Sequence, residues 1–150
     1  MTRYAEHTNV SSDKSRAEIE KTLSRYGATS FLYGWMDAKA VLGFEMRDRR
    51  VKFVLPMPDR SGLTRTPTGR VRKPTAVDHE FEQAVKQRWR ALALVIKAKL
   101  EAVESGITEF EEEFLAHIVM PDGQTVGEKL LPNIESAYKT GDLPPLLLGH

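Results

Sequence analysis

"TSFLYGWMDAKAVLGFEMRDRRVKFVL", residues 29–55, decides how the rest of the chain is read. It divides into three runs. Phe31, Tyr33 and Trp35 alternate in the first, Leu42, Phe44 and Met46 in the second, and Val51, Phe53 and Leu55 in the third. A period of two marks a β-strand, because successive side chains leave opposite faces. The connections at 36–39 and 47–50 are too short for a parallel crossover, so the spacing predicts an antiparallel meander. One face of such a sheet must be covered by another layer.

The flanking segments supply that layer. The first twelve residues are polar and are expected to fray. A helix is predicted from near Ser12 or Asp13, with "SRAE" at 15–18 reading as a capping box. Ile19, Leu23 and Tyr26 line one face, and Gly27 suits a left-handed C-terminal cap. After the third strand, "PMPD" at 56–59 stops the extended run. Residues 56–77 then read as a long loop rich in Pro, Gly, Thr and Arg, a length that in a compact domain is commonly functional or disordered.

A long helix is predicted from about Asp78 to Ser105, because Phe81, Val85, Trp89, Leu92, Ile96 and Val103 recur at helical spacing. Gly106 would cap it. Thr108 and Glu111 read as a second capping box, opening a shorter helix with Phe110, Phe114, Leu115 and Ile118 inward. Thr125 and Glu128 read as a third, opening a helix near 126–139 that Pro132 should kink or split. The tail "LPPLLL" at 143–148 reads as an extended strap, either a docking segment or an oligomer contact. The fold class expected is α+β, in one domain over residues 1–150: an N-terminal helix, a three-stranded antiparallel sheet, then a helical half whose long helix packs on the sheet.

Composition narrows the function. The chain has 150 residues, no Cys and a net charge of +1. Without Cys there is no disulfide, thiolate metal site or Cys nucleophile, which fits a reducing cytoplasm. No apolar run is long enough for a membrane span, and the N-terminus has no secretory h-region. The near-neutral total hides a division. Arg47, Arg49, Arg50, Lys52, Arg60, Arg65, Arg70, Arg72 and Lys73 face only Asp48 and Asp59 within residues 47–73, a net of +7, against −6 for the remainder. Such segregation focuses a positive field. Arg, the commoner of the two here, suits bidentate phosphate contacts.

The basic segment is therefore read as a phosphate-binding hairpin and loop. The alternative is a solvated loop balanced by the chain's own acidic helices. Tyr33 and Trp35 would stack bases if their strand face were exposed. Large aromatics are usually buried, so a core role is preferred. Whether that face can be shared with the apolar sets of the other two strands depends on register.

Other constellations carry less. "TRTPTGR" at 64–70 lacks the spacing of a phosphate-cradling P-loop. Asp37 with Glu45-Met46-Arg47 resembles the carboxylate pair and cation of Mg²⁺-dependent nucleases, with Arg in place of the usual Lys. Glu109, Glu113 and His117 would share a helical face four residues apart, where ion pairing is commoner than metal ligation. Negative charge in "EFEEEF" at 109–114 suits a helix start. Lys86, Arg90 and Lys97 on the long helix would extend the basic surface or solvate its outer face. No catalytic residue, metal or cofactor is assigned.

At "RAEIEKTLSRYGATSFLYGW", "QRWRALALVIKAKLEAVESGI" and "MPDGQTVGEKLLP" the chain resembles small proteins encoded by bacteriophages and prophages. That group brings no established reaction, cofactor or catalytic residue. The resemblance implies a setting: phage genome transactions or interference with host defence. The functional expectation is a non-enzymatic accessory protein for single-stranded or recombining nucleic acid. The alternatives are a protein-binding module, such as an inhibitor of a host defence protein, and the Mg²⁺-dependent nuclease.

Overall fold

The computed structural model describes residues 3–143, with side chains from residue 13 onward. The tail at 144–148 lies outside the described residues. Helix α1 (Arg3–Arg25) leads into strands β1 (Ser30–Met36), β2 (Lys39–Met46) and β3 (Arg49–Pro56). Then come a single 3₁₀ turn (Arg60–Leu63), the long helix α2 (Pro74–Glu104), a one-turn helix α3 (Phe110–Glu113), a second 3₁₀ turn (Leu115–His117) and α4 (Val126–Thr140). This is the α+β arrangement that the strand pattern demands.

The three strands form an antiparallel meander in the order β1-β2-β3. Its register answers the question of the shared face. Phe31 pairs with Phe44 and Phe44 with Val51; Tyr33 pairs with Leu42 and Leu42 with Phe53; Trp35 pairs with Ala40 and Ala40 with Leu55. All three apolar sets therefore lie on one face, as cross-strand rows. Helix α2 covers that face: the rings of Tyr33 and Trp89 lie 5.4 Å apart, and Trp89 is wholly buried. Ile19 and Leu23 of α1 join the same core. Phe114 closes it from the side, with its ring edge-on to Phe44 at 5.9 Å and to Phe53 at 6.3 Å.

Local chemistry sets the ends of the elements. At Gly27 (φ 101) the amide of Ala28 reaches back to the Leu23 carbonyl at 2.9 Å, and that of Gly27 to Ser24 at 3.1 Å. This pair of bonds closes α1 through a left-handed residue that glycine adopts without strain. The β2–β3 turn has positive φ at both central residues, Arg47 (52) and Asp48 (62). That geometry matches the twist of a two-residue hairpin, and it costs a non-glycine residue such as Arg47 about 1–2 kcal/mol. Thr125 caps α4 by accepting the Glu128 amide at 3.1 Å, as predicted.

Three expectations are corrected. Helix α1 begins at Arg3, well before Ser12, so Ser15 and Glu18 lie inside it and form no capping box. Helix α2 begins at Pro74 rather than Asp78, with Pro in the first turn, where its missing donor costs nothing. Thr108 does not cap with Glu111; its hydroxyl donates to Glu113, the following helix is a single turn, and Leu115 is exposed. Helix α4 runs unbroken through Pro132, so of the kink or split expected there the split does not occur.

Candidate nucleic-acid interface

The long basic loop is built. Between the first 3₁₀ turn and α2, Arg65 and Val71 face each other in an antiparallel bridge. The Thr66 amide donates to the Arg70 carbonyl at 2.8 Å, and the Gly69 amide to the Thr66 carbonyl at 2.9 Å. Pro67 fits the second position of this turn, and Gly69 takes the left-handed residue after it (φ 90). The Thr66 hydroxyl accepts the Arg70 amide at 3.1 Å and lies 3.0 Å from the Thr68 hydroxyl. The Arg65 guanidinium donates across the tip to the Gly69 carbonyl at 2.9 Å, and Arg72 ties the base to the Leu63 carbonyl at 3.0 Å. At its root the Asp59 carboxylate accepts the Ser61 amide at 3.0 Å, and these bonds to Ser61 hold its pKa below the ordinary carboxylate value.

This small hairpin delivers its cations to the start of α2. Lys73 is the residue just before the helix, and the first turn carries no acidic side chain. The positive end of a 31-residue helix therefore adds to the side-chain charge. Among the described residues Arg65, Arg70, Arg72 and Lys73 form no salt bridge. Arg65, Arg70 and Lys73 are exposed and Arg72 is half-buried.

The remaining cations are arranged differently. Arg47, Arg49 and Arg50 sit at the β2–β3 turn, at the opposite end of β3 from the hairpin loop. Strand β3, about 26 Å long, runs from that turn toward the segment that leads to the hairpin. Arg49 pairs with Glu111 at 3.3 Å, Lys52 with Glu128 at 3.3 Å, and Arg60 with Asp78. Arg60 also lies over the Phe81 ring, and Arg47 over Phe110. Arg50 points to the outer face of the sheet, across from Glu45. The nine cations of residues 47–73 thus fall into two groups, and three of them answer the chain's own carboxylates.

Tyr33 and Trp35 lie on the helix-covered face of the sheet. Tyr33 has the Arg16 guanidinium 4.1 Å from its ring centre and Trp89 nearby, while Trp35 meets Tyr33 edge-on at 6.0 Å. Both rings are half-buried and pack against the core. The nuclease constellation also separates. Asp37 lies in the β1–β2 turn and Glu45 near the far end of β2, with roughly 20 Å of extended strand between them. Two carboxylates so placed cannot share a cation whose oxygen ligands lie at about 2.0–2.6 Å.

The Glu109, Glu113 and His117 spacing fails because α3 ends at Glu113. Glu113 instead meets Lys99 at 3.5 Å, and His117 stacks on Phe53 with centroids 4.0 Å apart. Burial and then the charge of Lys99 push the His117 pKa down, against a hydrogen bond to the Lys52 backbone that raises it. Among the described residues no group of His, Asp and Glu is placed to hold a metal ion. No described helix is long and apolar enough to cross a membrane. Lys86, Arg90 and Lys97 are exposed along α2.

Two surfaces escaped the sequence reading. The outer face of the sheet is apolar, with Leu32, Met36 and Val54 exposed. Helix α4 carries exposed Leu131, Ile134 and Tyr138. The first had a signal: "SFLYGWM" is apolar on both parities, which a half-solvated strand does not require. No protein-family model matches the chain, and no curated protein or solved structure is significantly similar to it.

Proposed function

We propose that this protein binds nucleic acid without turning it over, as an accessory protein for single-stranded or recombining strands in a phage or prophage setting. The hairpin over residues 64–72 and the first turn of α2 form the grip. Arg65, Arg70, Arg72 and Lys73 hold phosphates, and the start of α2 adds its dipole. Arg47 and Arg50, at the β2–β3 turn, make a second, weaker contact. Arg49, Lys52 and Arg60 are tied to Glu111, Glu128 and Asp78 and take a smaller part.

One observation carries this reading: three cations on an ordered hairpin and Lys73 just after it, none paired with a carboxylate among the described residues, stand where a long helix begins. A solvated loop would not need Arg65 and Arg72 fastened to backbone carbonyls. Gel retardation with single-stranded, duplex and branched DNA, and with RNA, at low salt tests it. At least one of these should be retarded, with the strand left intact when Mg²⁺ is present. Absence of retardation for all of them refutes the reading.

A further inference from the structure

We infer that the chain forms a two-fold dimer in which α4 of each copy lies across the outer sheet face of the other. The inference is independent of nucleic-acid binding and starts from the way α4 leaves the body. Gly127, Leu131, Ile134 and Tyr138 fall on one stripe of the helix. At its first turn that stripe touches the body, because a Cβ on Gly127 would lie 2.8 Å from the Ala116 carbonyl oxygen. Further along nothing described covers it: Leu131 is 64% exposed, Ile134 47% and Tyr138 89%. The uncovered part, residues 131–140, is about 15 Å long.

The same chain offers a second open apolar surface. On the outer sheet face Leu32 is 72% exposed, Met36 54% and Val54 39%. Val41 lies between them, beside Gly34 in the cross-strand pairing. Gly34 and Gly43 carry no side chain, so the face holds an open groove of about 560 Å³. Monomers rarely keep two such surfaces uncovered.

Shape and charge match the two surfaces to each other. A helix ridge fits a sheet trough floored by glycine. Glu128 and Glu135 flank the α4 stripe seven residues apart, on one side, with Glu135 beside its own partner Lys139. Lys39, Arg50 and Lys52 border the sheet face, with Glu45 the acidic exception. Lys52 and Glu128 already pair with each other inside one chain, which leaves Lys39 and Arg50 on the sheet and Glu135 on α4 as the charges that meet across the contact. A two-fold arrangement covers both surfaces of both copies with a single kind of contact. Each exposed side chain offers roughly 100 Å², so the six from each copy together bury on the order of 1,200 Å², the lower end of stable specific interfaces.

The absence of Cys makes the test clean. Light scattering at about 100 µM should give twice the 16.9 kDa chain mass. Leu131→Asp with Ile134→Asp should weaken association on the order of 100-fold while far-UV circular dichroism stays unchanged, because both sites are exposed. Independently, protein carrying Leu32→Cys mixed with protein carrying Ile134→Cys should give a mixed cross-linked dimer with a short bis-maleimide. A monomer at all concentrations overturns the inference. So does a dimer that survives the double Asp variant, or cross-linking of Leu32→Cys chiefly to itself, which would mean sheet against sheet.

Discussion

Replacing Gly127 by alanine sets two effects of known sign against each other. Inside a helix, Gly to Ala normally stabilises by about 0.8–1 kcal/mol, because alanine loses less backbone entropy. Here the new methyl would lie 2.8 Å from the Ala116 carbonyl oxygen and 3.4 Å from the Ala116 Cβ. The oxygen cannot easily yield. Its turn is held by the His117 amide bonded to Phe114 at 2.8 Å, and by the Val126 amide bonded to Ile118 at 3.0 Å. Relief of the clash must shift α4 by about half an ångström, an overpacking cost of roughly 1–3 kcal/mol. The net expectation is a loss of about 1 kcal/mol. Urea unfolding measures it as a lower midpoint at unchanged slope. A gain of about 1 kcal/mol would refute the seating of α4 against Ala116, and with it the geometry of the overhanging stripe.

Other perturbations follow from the same contacts. Trp89→Ala, at the wholly buried centre of the sheet–helix contact, should cost about 3–5 kcal/mol in urea unfolding. Thr125→Ala removes the acceptor for the Glu128 amide and should cost about 1 kcal/mol by the same assay. Gly69→Ala forces a side chain to φ 90; it should loosen the hairpin and reduce nucleic-acid affinity with little effect on global stability. His117 has a folded-state pKa below its ordinary 6.5, so the unfolded chain binds the proton first. Stability should therefore fall as pH drops below about 6.5, levelling once the folded-state pKa is passed, and His117→Gln should remove that contribution from pH-dependent urea midpoints.

The elements legible in the sequence were those set by local chemistry. Strands alternating through Phe31, Leu42 and Phe53, the Gly27 and Gly106 helix ends, and the Thr125 cap each depend on a few neighbouring residues. The start of α2 was legible too, since Pro74 suits a first helical turn, but the loop reading ran past it to Asp78. The end of α3 was not. Glu113 turns to Lys99, fourteen residues earlier, a partner that no helical spacing rule reveals. Charge shows the same limit. Counting cations found the basic segment, but it could not show that Arg49, Lys52 and Arg60 answer Glu111, Glu128 and Asp78. Asp37 and Glu45 look close in the sequence for a metal pair, and an extended strand is what parts them. Residues 64–72 appeared only as a loop, although Pro67 and Gly69 already held the turn.

The most direct measurement is fluorescence anisotropy of a labelled oligonucleotide across salt concentrations, for the natural chain and for Arg65→Ala, Arg70→Ala, Arg72→Ala and Lys73→Ala combined. Each phosphate contact contributes about 0.7 to the logarithmic salt slope on single strands and about 0.9 on duplex. The four-fold variant should therefore bind more weakly, with its slope reduced by about 3. Equal slopes and equal affinities for the two proteins would contradict the assignment of this hairpin as the grip.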